Sequence, residues 1–415
     1  MTPTYKILII GGGTAGIMTA SSLLKKNPKL DIGIIEPSGR HWYQPAWTLV
    51  GAGTYDFNKT QRPMKSVIPE KADWIKDKAV SFDPENNTVL TAKNGNVSYE
   101  YLIIAPGLQL DTSKVEGLTD AIDKGVVCSN YTDPQYTWEV IKNFEGGTAL
   151  FTQPPKPYKC GGAPQKIMYL ADDHFKRSGI KNKTKVIYAT SGDAIFSVPE
   201  IAETLYKVVD RKGINVKFNY ELKKIEKDKK IAWFSVSPES KERNPITLDL
   251  LKNNNLVGIA YDMLHLVPPN TAPDFIRNST LVDKDGWLDV DPYTLQHKKH
   301  PNIFGLGDVT NVPTSKTGAA IRKQAPVVVN NIINLIELQT LSSKKYDGYS
   351  SCPFITGYGK MVLAEFDYSK KFLPDPKLKR LLIKDSSKEH WRLWILKKYI
   401  LPYLYWNQML KGKEV

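Results

Sequence analysis

An α/β fold with two dinucleotide-binding-type units and a C-terminal amphipathic membrane-docking segment is what this 415-residue sequence predicts. Three observations carry that expectation. An apolar run, Ile7-Leu8-Ile9-Ile10, ends in glycines spaced G-x-G-x-x-G (Gly11, Gly13, Gly16) and continues into Ile17 to Lys26, a stretch of helical composition. A second strand-helix-strand succession spans Lys183 to Tyr220, after an earlier strand from Gly146. The closing stretch, His390 to Trp406, mixes Trp, Tyr, Leu and Ile with Lys, Arg and His. Strands separated by helices indicate parallel sheets, the arrangement of Rossmann-like domains.

The opening stretch is the most specific. Four apolar residues in a row suit a buried parallel strand. Gly11 permits the tight turn, Gly13 lets backbone approach a pyrophosphate, and Gly16 allows close helix-strand packing. Free N–H groups and the helix dipole then favour the phosphate charge. Glu36 stands twenty residues beyond Gly16, at the end of Ile32-Gly33-Ile34-Ile35, placed to accept from a ribose hydroxyl. A glycine-rich turn alone would not bring a second strand and a terminal acid with it.

The next pieces follow in order. Pro37 to Pro45 is polar and aromatic and reads as a loop that closes over the cofactor. Trp74 to Asp83 and Thr88 to Thr91 read as short strands, and Lys93-Asn94-Gly95-Asn96 suits a hairpin turn. Tyr99 to Gly107 reads as a buried strand ending in the sharp turn Ala105-Pro106-Gly107. Helices are expected over 131–145, Gln165 to Phe175, Pro199 to Lys212 and about Lys316 to Leu338. Strands are expected over Gly146 to Thr152, Lys183 to Ala189, Val216 to Tyr220, Tyr261 to Pro269 and Asn302 to Asp308. Residues 221–256 suit exposed hairpins, and Tyr349 to Tyr368 a meander of strands. The expected division is 1–125 and 261–345 for the first unit, 126–260 for the second, and 346–415 for a C-terminal region.

Composition narrows the class. A hydrophobic fraction of 41% and a charged fraction of 24% are those of a soluble globular protein. The net charge of +14 is high, and residues 375–415 hold ten Lys/Arg against four Asp/Glu. No nucleic-acid motif accompanies that charge, so anionic lipid is the favoured partner. No apolar run reaches the roughly 20 residues that span a bilayer. No charged-then-apolar leader precedes the first strand, which sets the expectation of no signal or transit peptide. Three cysteines (Cys128, Cys160, Cys352) are too few for a disulfide-stapled scaffold.

Ala105-Pro106-Gly107 and Gly305-Leu306-Gly307-Asp308 are strand ends of the kind that complete a flavin site, with Asp308 toward the ribityl chain or pyrophosphate. Their order after the glycine turn resembles the two-dinucleotide-domain flavoproteins, also called the disulfide-reductase-like fold, and implies FAD. The second unit's turn reads Ala189-Thr190-Ser191-Gly192-Asp193-Ala194-Ile195-Phe196, with one glycine and an acid where pyrophosphate would lie. An acid there repels phosphates, so a degenerate nicotinamide site is expected. Cys160 precedes a helix, with Lys156, Lys159 and Lys166 close by in sequence, conditions that favour thiolate. Cys352 lies in a Ser-Cys-Pro context. From these residues alone, two merely packed cysteines are the plainer reading.

The blocks Glu36-Pro37 with His41 to Gly53, Lys159-Cys160-Gly161-Gly162-Ala163-Pro164 on to Leu170, Asp308 to Gly318, Tyr349-Ser350-Ser351-Cys352-Pro353, and Ala364 to Tyr368 are similar to sulfide:quinone oxidoreductases. The similarity runs nearly the whole chain and is greatest to the branch that includes the mitochondrial enzymes. It implies a redox pair, Cys160 and Cys352, straddling the flavin, with the persulfide assigned to Cys160 and the flavin-facing thiolate to Cys352, an order that could be reversed. The implied substrates are hydrogen sulfide and ubiquinone or menaquinone, with sulfite, glutathione or further sulfide taking the sulfane sulfur. Gly11, Gly13, Thr14, Ala15, Gly16, Glu36, Gln44, Val80, Ala105, Gly107, Asp308, Lys316, Thr317 and Gly318 are the candidate cofactor residues; no metal is expected. Cys128 reads as structural, and His41 and His265 as structural rather than proton-moving. The aromatic, basic end suits an interfacial anchor. The resulting expectation is a peripheral protein of a bacterial inner membrane, with an oligomer possible. Alternatives are a flavin-linked sulfide dehydrogenase passing electrons to a cytochrome, a type II NADH:quinone oxidoreductase, and a flavin redox sensor without turnover.

Overall fold

The structure, a computed structural model, describes residues 3–376, 379 and 383–413. It opens with β1 (Thr4–Ile10), α1 (Thr14–Lys26) and β2 (Ile32–Ile35), then β3 (Arg40–Trp42), α2 (Trp47–Val50) and β4 (Gln61–Pro63). β5 (Asp73–Ile75), β6 (Ala79–Asp83), β7 (Thr88–Thr91) and β8 (Gly95–Ile104) follow. Next come β9 (Gln109–Leu110), α3 (Leu118–Ala121), β10 (Val127–Cys128), α4 (Pro134–Lys142) and β11 (Gly147–Gln153). α5 (Ala163–Arg177), β12 (Thr184–Thr190) and α6 (Pro199–Lys212) lead to a long ribbon of β13 (Asn215–Glu226) and β14 (Ile231–Arg243). β15 (Leu251–Asn253), β16 (Leu256–Ala260), β17 (Met263–His265), β18 (Asn270–Thr271) and α7 (Asp274–Arg277) precede β19 (Ile303–Gly305) and α8 (Gly318–Leu338). β20 (Ser350–Gly357) and β21 (Lys360–Phe366) form a hairpin, and helical turns between Trp391 and Lys411 close the described chain.

Two sheets carry these elements. The first runs β5-β2-β1-β8-β7-β6, with β19 also on β8; the second runs β10-β17-β11-β12-β13-β14-β16-β15. In the first, β1, β8 and β19 are mutually parallel, and Ile10, Ile104 and Gly305 share one row. The turns that follow them therefore emerge at one edge, the carboxyl ends of parallel strands, where α/β folds hold ligands. Ile7, Leu8 and Ile9 are fully buried, which explains the unbroken apolar run. α5 is buried along most of its length and packs on β20, bringing the Cys160 and Cys352 segments together. Pro164 in its first turn and Lys176 and Arg177 in its last suit both ends of its dipole.

The structure departs from expectation in five places. Pro37 to Pro45 is no free loop: Arg40–Trp42 pairs with Gln61–Pro63, and Gln44–Ala46 forms a 3-10 turn. Trp74 to Asp83 is two strands, because the Asp77 carboxylate collects the Lys78, Lys93 and Asn94 amides and turns the chain. The helix expected from residue 131 starts at Pro134, where Asp133 accepts from the Gln135 and Tyr136 amides. Tyr349 to Tyr368 holds one hairpin rather than a meander. The boundary at 260 cuts the second sheet, since β17 pairs with β10 and β11; that unit extends to His265. Among the described residues no helix is long and apolar enough to cross a membrane. Lys377 and Arg380, part of the basic C-terminal count, lie outside the described residues.

Candidate redox and dinucleotide site

At the first turn Gly11 has φ +101°, and a Cβ there would sit 2.6 Å from Ala105 O; a Cβ on Gly16 would sit 1.9 Å from Gly11 O. Gly13 is the opposite case: it is exposed, and a Cβ there would meet nothing within 4 Å. α1 begins beside it with no side chain capping its first amides, which leaves those donors for a ligand. Glu36 Oε2 accepts from Gly12 N and Oε1 from Ser38 N, both at 2.7 Å, so its carboxylate is aimed at the turn. Val80 lies on β6, five residues beyond Ile75, whose carbonyl accepts from Glu36 N at 3.1 Å; its side chain is 45% exposed.

The two later turns meet the first. Ala105 N donates to Ile10 O at 2.9 Å, and Gly107 has φ +78° with open space where a Cβ would be. A Cβ on Gly307 would lie 3.4 Å from the Ala15 Cβ, which puts the Asp308 turn against the start of α1. Lys316 Nζ donates to the carbonyls of Asp308 (2.7 Å) and Thr310 (2.8 Å) and lies 3.8 Å from the Trp287 ring centroid. Burial pushes its pKa down to about 8. Thr317 Oγ1 caps Ala320 N at 3.1 Å, and Gly318 opens α8 with nothing within 4 Å of its would-be Cβ. Gln44 Oε1 accepts from Lys159 Nζ.

The thiols sit at the border of this cradle. Cys160 has φ +55°; its amide donates to Lys316 O (2.9 Å) and its carbonyl accepts from Ala163 N (2.8 Å). Lys166 Nζ, from the first turn of α5, lies 3.2 Å from Cys160 Sγ. Cys352 is 1% exposed on β20, opposite Ala364, and its sulfur and that of Cys160 each shift the other's acidity. A Cβ on Gly162 would lie 2.7 Å from Cys352 Sγ, so only glycine allows the close approach. The hydrogen bond from Cys352 and the Lys166 charge hold the Cys160 pKa well below that of an ordinary thiol. Burial and the shared hydrogen bond push Cys352 well above it. The two sulfurs are therefore unequal, Cys160 the more acidic and Cys352 the less.

Other candidates lie apart in role. Cys128 is fully buried on β10, and burial pushes its thiol pKa up. His265 is buried with Nε2 donating to Asn130 Oδ1 at 2.6 Å; burial lowers its pKa to about 3. The second unit's turn spends its amides internally: Ser191 N donates to Gln153 O (3.2 Å) and Gly192 N to Thr190 Oγ1 (3.1 Å). α6 starts only at Pro199, too late to point its first amides into that turn.

Residues 5–140 match the family described as pyridine nucleotide-disulphide oxidoreductase. The mitochondrial sulfide:quinone oxidoreductase of mouse is 40% identical over 410 residues, 98% of this chain and 87% of that protein. That of Dictyostelium discoideum is 42% identical over 413 residues, 98% of this chain and 86% of that protein. The chain belongs to the sulfide:quinone oxidoreductase family. The X-ray structure of the Aquifex aeolicus sulfide:quinone oxidoreductase shares the fold, with a TM-score of 0.75 at 20% identity, covering 99% of this chain and 92% of that one.

The cradle fits FAD. Backbone is bare at Gly13, Gly107 and Gly318, two helix starts face it, and a carboxylate waits at Glu36. Both expected cysteines meet. One residue escaped the sequence reading: Lys397, from the C-terminal segment, is 4% exposed, and its ammonium acts on the Cys160 and Cys352 sulfurs. Its Nζ donates to Pro45 O at 2.9 Å, and burial, with Lys166 nearby, lowers its pKa to about 7. Beside aromatics, a Lys-Lys pair reads as a solvated interfacial face, and nothing local marks one of the two as buried. The mouse and Dictyostelium relatives are mitochondrial by name, so a bacterial inner membrane finds no support from them.

Proposed function

We propose that this chain oxidises hydrogen sulfide through Cys160 and Cys352, passes two electrons to a membrane quinone, and hands the sulfane sulfur to a small nucleophile such as sulfite, glutathione or further sulfide. The observation that carries this reading is the meeting of the Cys160 turn, where Lys166 reaches the Cys160 sulfur and Gly162 abuts that of Cys352, with Lys316 at the rim of the dinucleotide cradle. In the sulfur-bridged pair, HS⁻ forms a new S–S bond to one sulfur, the old bond breaks, and the other sulfur leaves as thiolate. The more acidic thiol is the better leaving group. Lys166, whose Nζ lies 3.2 Å from Cys160 Sγ, stabilises Cys160 as the departing anion. That asymmetry favours Cys352 as the persulfide carrier, the reverse of the order first expected. FAD, when bound, supplies the two-electron acceptor between the thiols and quinone. Lys397 can hold or release a proton at Nζ near neutral pH, as the oxidation of sulfide requires.

The C-terminal segment supports docking at a membrane surface. Trp391, Ile395, Tyr399 and Tyr403 recur every fourth residue, and all are exposed, Tyr403 by 59%. Arg392 stands exposed beside this stripe, a charge that anionic headgroups favour. The proposed division is 1–125 with 266–345 for the first unit, 126–265 for the second, and 346–415 for the C-terminal region.

Anaerobic absorbance of the purified, FAD-loaded chain tests the reading. Sulfide should bleach the flavin band and NADH should not, and a soluble quinone should then sustain turnover. Cys160→Ser and Cys352→Ser should each stay yellow and stop bleaching with sulfide. Bleaching by NADH, or sulfide reduction retained in either variant, would overturn it.

A further inference from the structure

A buried line of polar contacts joins the C-terminal segment to the glycine turn. His41 Nδ1 lies 2.9 Å from Gly12 O, His41 Nε2 lies 2.7 Å from Tyr405 Oη, and Tyr405 Oη lies 2.7 Å from Thr14 Oγ1. A carbonyl only accepts, so Nδ1–H donates to Gly12. Nε2 then accepts from the Tyr405 hydroxyl, which in turn accepts from Thr14. Every link has one direction, and two of the three meet at the tyrosine hydroxyl. Gly12 and Thr14 flank Gly13, the bare backbone where pyrophosphate would lie. The segment's last turns are tied to α1 as well: Ser21 Oγ donates to Leu410 O at 2.8 Å.

We propose that the C-terminal segment is a latch on the dinucleotide turn: docked, it holds FAD in place, and bound FAD holds the segment down. This rests on FAD occupying the turn, as proposed above, and adds a role for the segment separate from membrane docking. The coupling runs both ways because any ligand that favours the docked state is itself favoured by it. Removing only the Tyr405 hydroxyl leaves the buried His41 Nε2 and the half-buried Thr14 Oγ1 without that partner, which costs enough to change FAD retention about tenfold.

Two measurements on the full chain test the latch. Release of FAD after dilution, followed by free-flavin fluorescence, should be about tenfold faster from Tyr405→Phe than from the unsubstituted chain. Trypsin should cut after Lys397 several-fold faster in the FAD-stripped chain than in the loaded one, since that buried side chain is reachable only when the segment lifts. The trypsin comparison uses the unsubstituted chain and so holds even if Tyr405→Phe folds poorly. Equal release rates, or equal cleavage of loaded and stripped chain, overturn the latch while leaving the sulfide chemistry intact. A purified chain that binds no FAD overturns both.

Discussion

At the Cys160 sulfur, charge and packing are separable, because Lys166 contributes an ammonium at 3.2 Å on a long apolar stem. Lys166→Met keeps the stem and removes the charge. At pH 7 the Cys160 thiol should then react with iodoacetamide about tenfold more slowly, read by peptide mass spectrometry. An unchanged rate would assign the acidity to the Cys352 hydrogen bond alone. The same spectrometer locates the sulfane sulfur: one equivalent of sulfide added to the oxidised chain, followed by alkylation, should leave the extra sulfur on Cys352. Finding it on Cys160 would restore the order read from resemblance. Gly162→Ala places a methyl 2.5 Å from the Phe354 ring and 2.7 Å from the Cys352 sulfur. It should cost about 1–3 kcal/mol in a urea titration and separate the pair. At this scale Lys159 and Lys166 are legible because they neighbour Cys160 in sequence. Lys397 is not, since its burial depends on where a distant segment lands.

The elements were legible wherever their cause is local. Gly11, Gly13 and Gly16 announce a turn because each answers a steric demand within a few residues. Pro199 to Lys212 is legible to the residue, with proline opening the helix and Gly213 in the left-handed conformation closing it. The ribbon of β3 and β4 was illegible because Arg40 to Trp42 needs a partner beyond residue 60, and pairing at that distance leaves no periodic mark. The C-terminal segment is half legible: its aromatic and basic residues suit one interfacial face, whereas it has two. Leu393, Trp394, Lys397, Tyr405 and Trp406 point inward, and Trp391, Ile395, Tyr399 and Tyr403 point out. Replacing Trp391 and Tyr403 together with serine should weaken sedimentation with phosphatidylglycerol-containing vesicles at least tenfold. Undiminished sedimentation would place the docking surface elsewhere.

Over the whole molecule, two neutral histidines make stability depend on acid. Burial lowers the His41 pKa to about 4 and that of His265 to about 3, whereas an unfolded chain protonates both near 6.5. Below 6.5 the unfolded state therefore takes up protons that the folded state refuses, and stability falls with pH until the folded values are reached. Between pH 7 and pH 5 each should cost about 2 kcal/mol. Urea midpoints at the two pH values measure this, and His41→Gln should flatten part of the difference. A midpoint unchanged between them would show that these rings titrate normally.

The pairing of β19 with β8 also sets an order of events during synthesis. Leu102, Ile103 and Ile104 are paired with β1 on one side as soon as the first hundred residues emerge, yet their other edge waits for Ile303 to Gly305. At about 5–20 residues per second, that wait is roughly 10–40 s. During it the nascent chain carries an apolar strand with open amides and carbonyls, the kind of edge that recruits other chains. The second sheet, complete by His265, can assemble before the first is sealed. Slowing translation before residue 303 should therefore lower soluble yield more than the same pause placed after it.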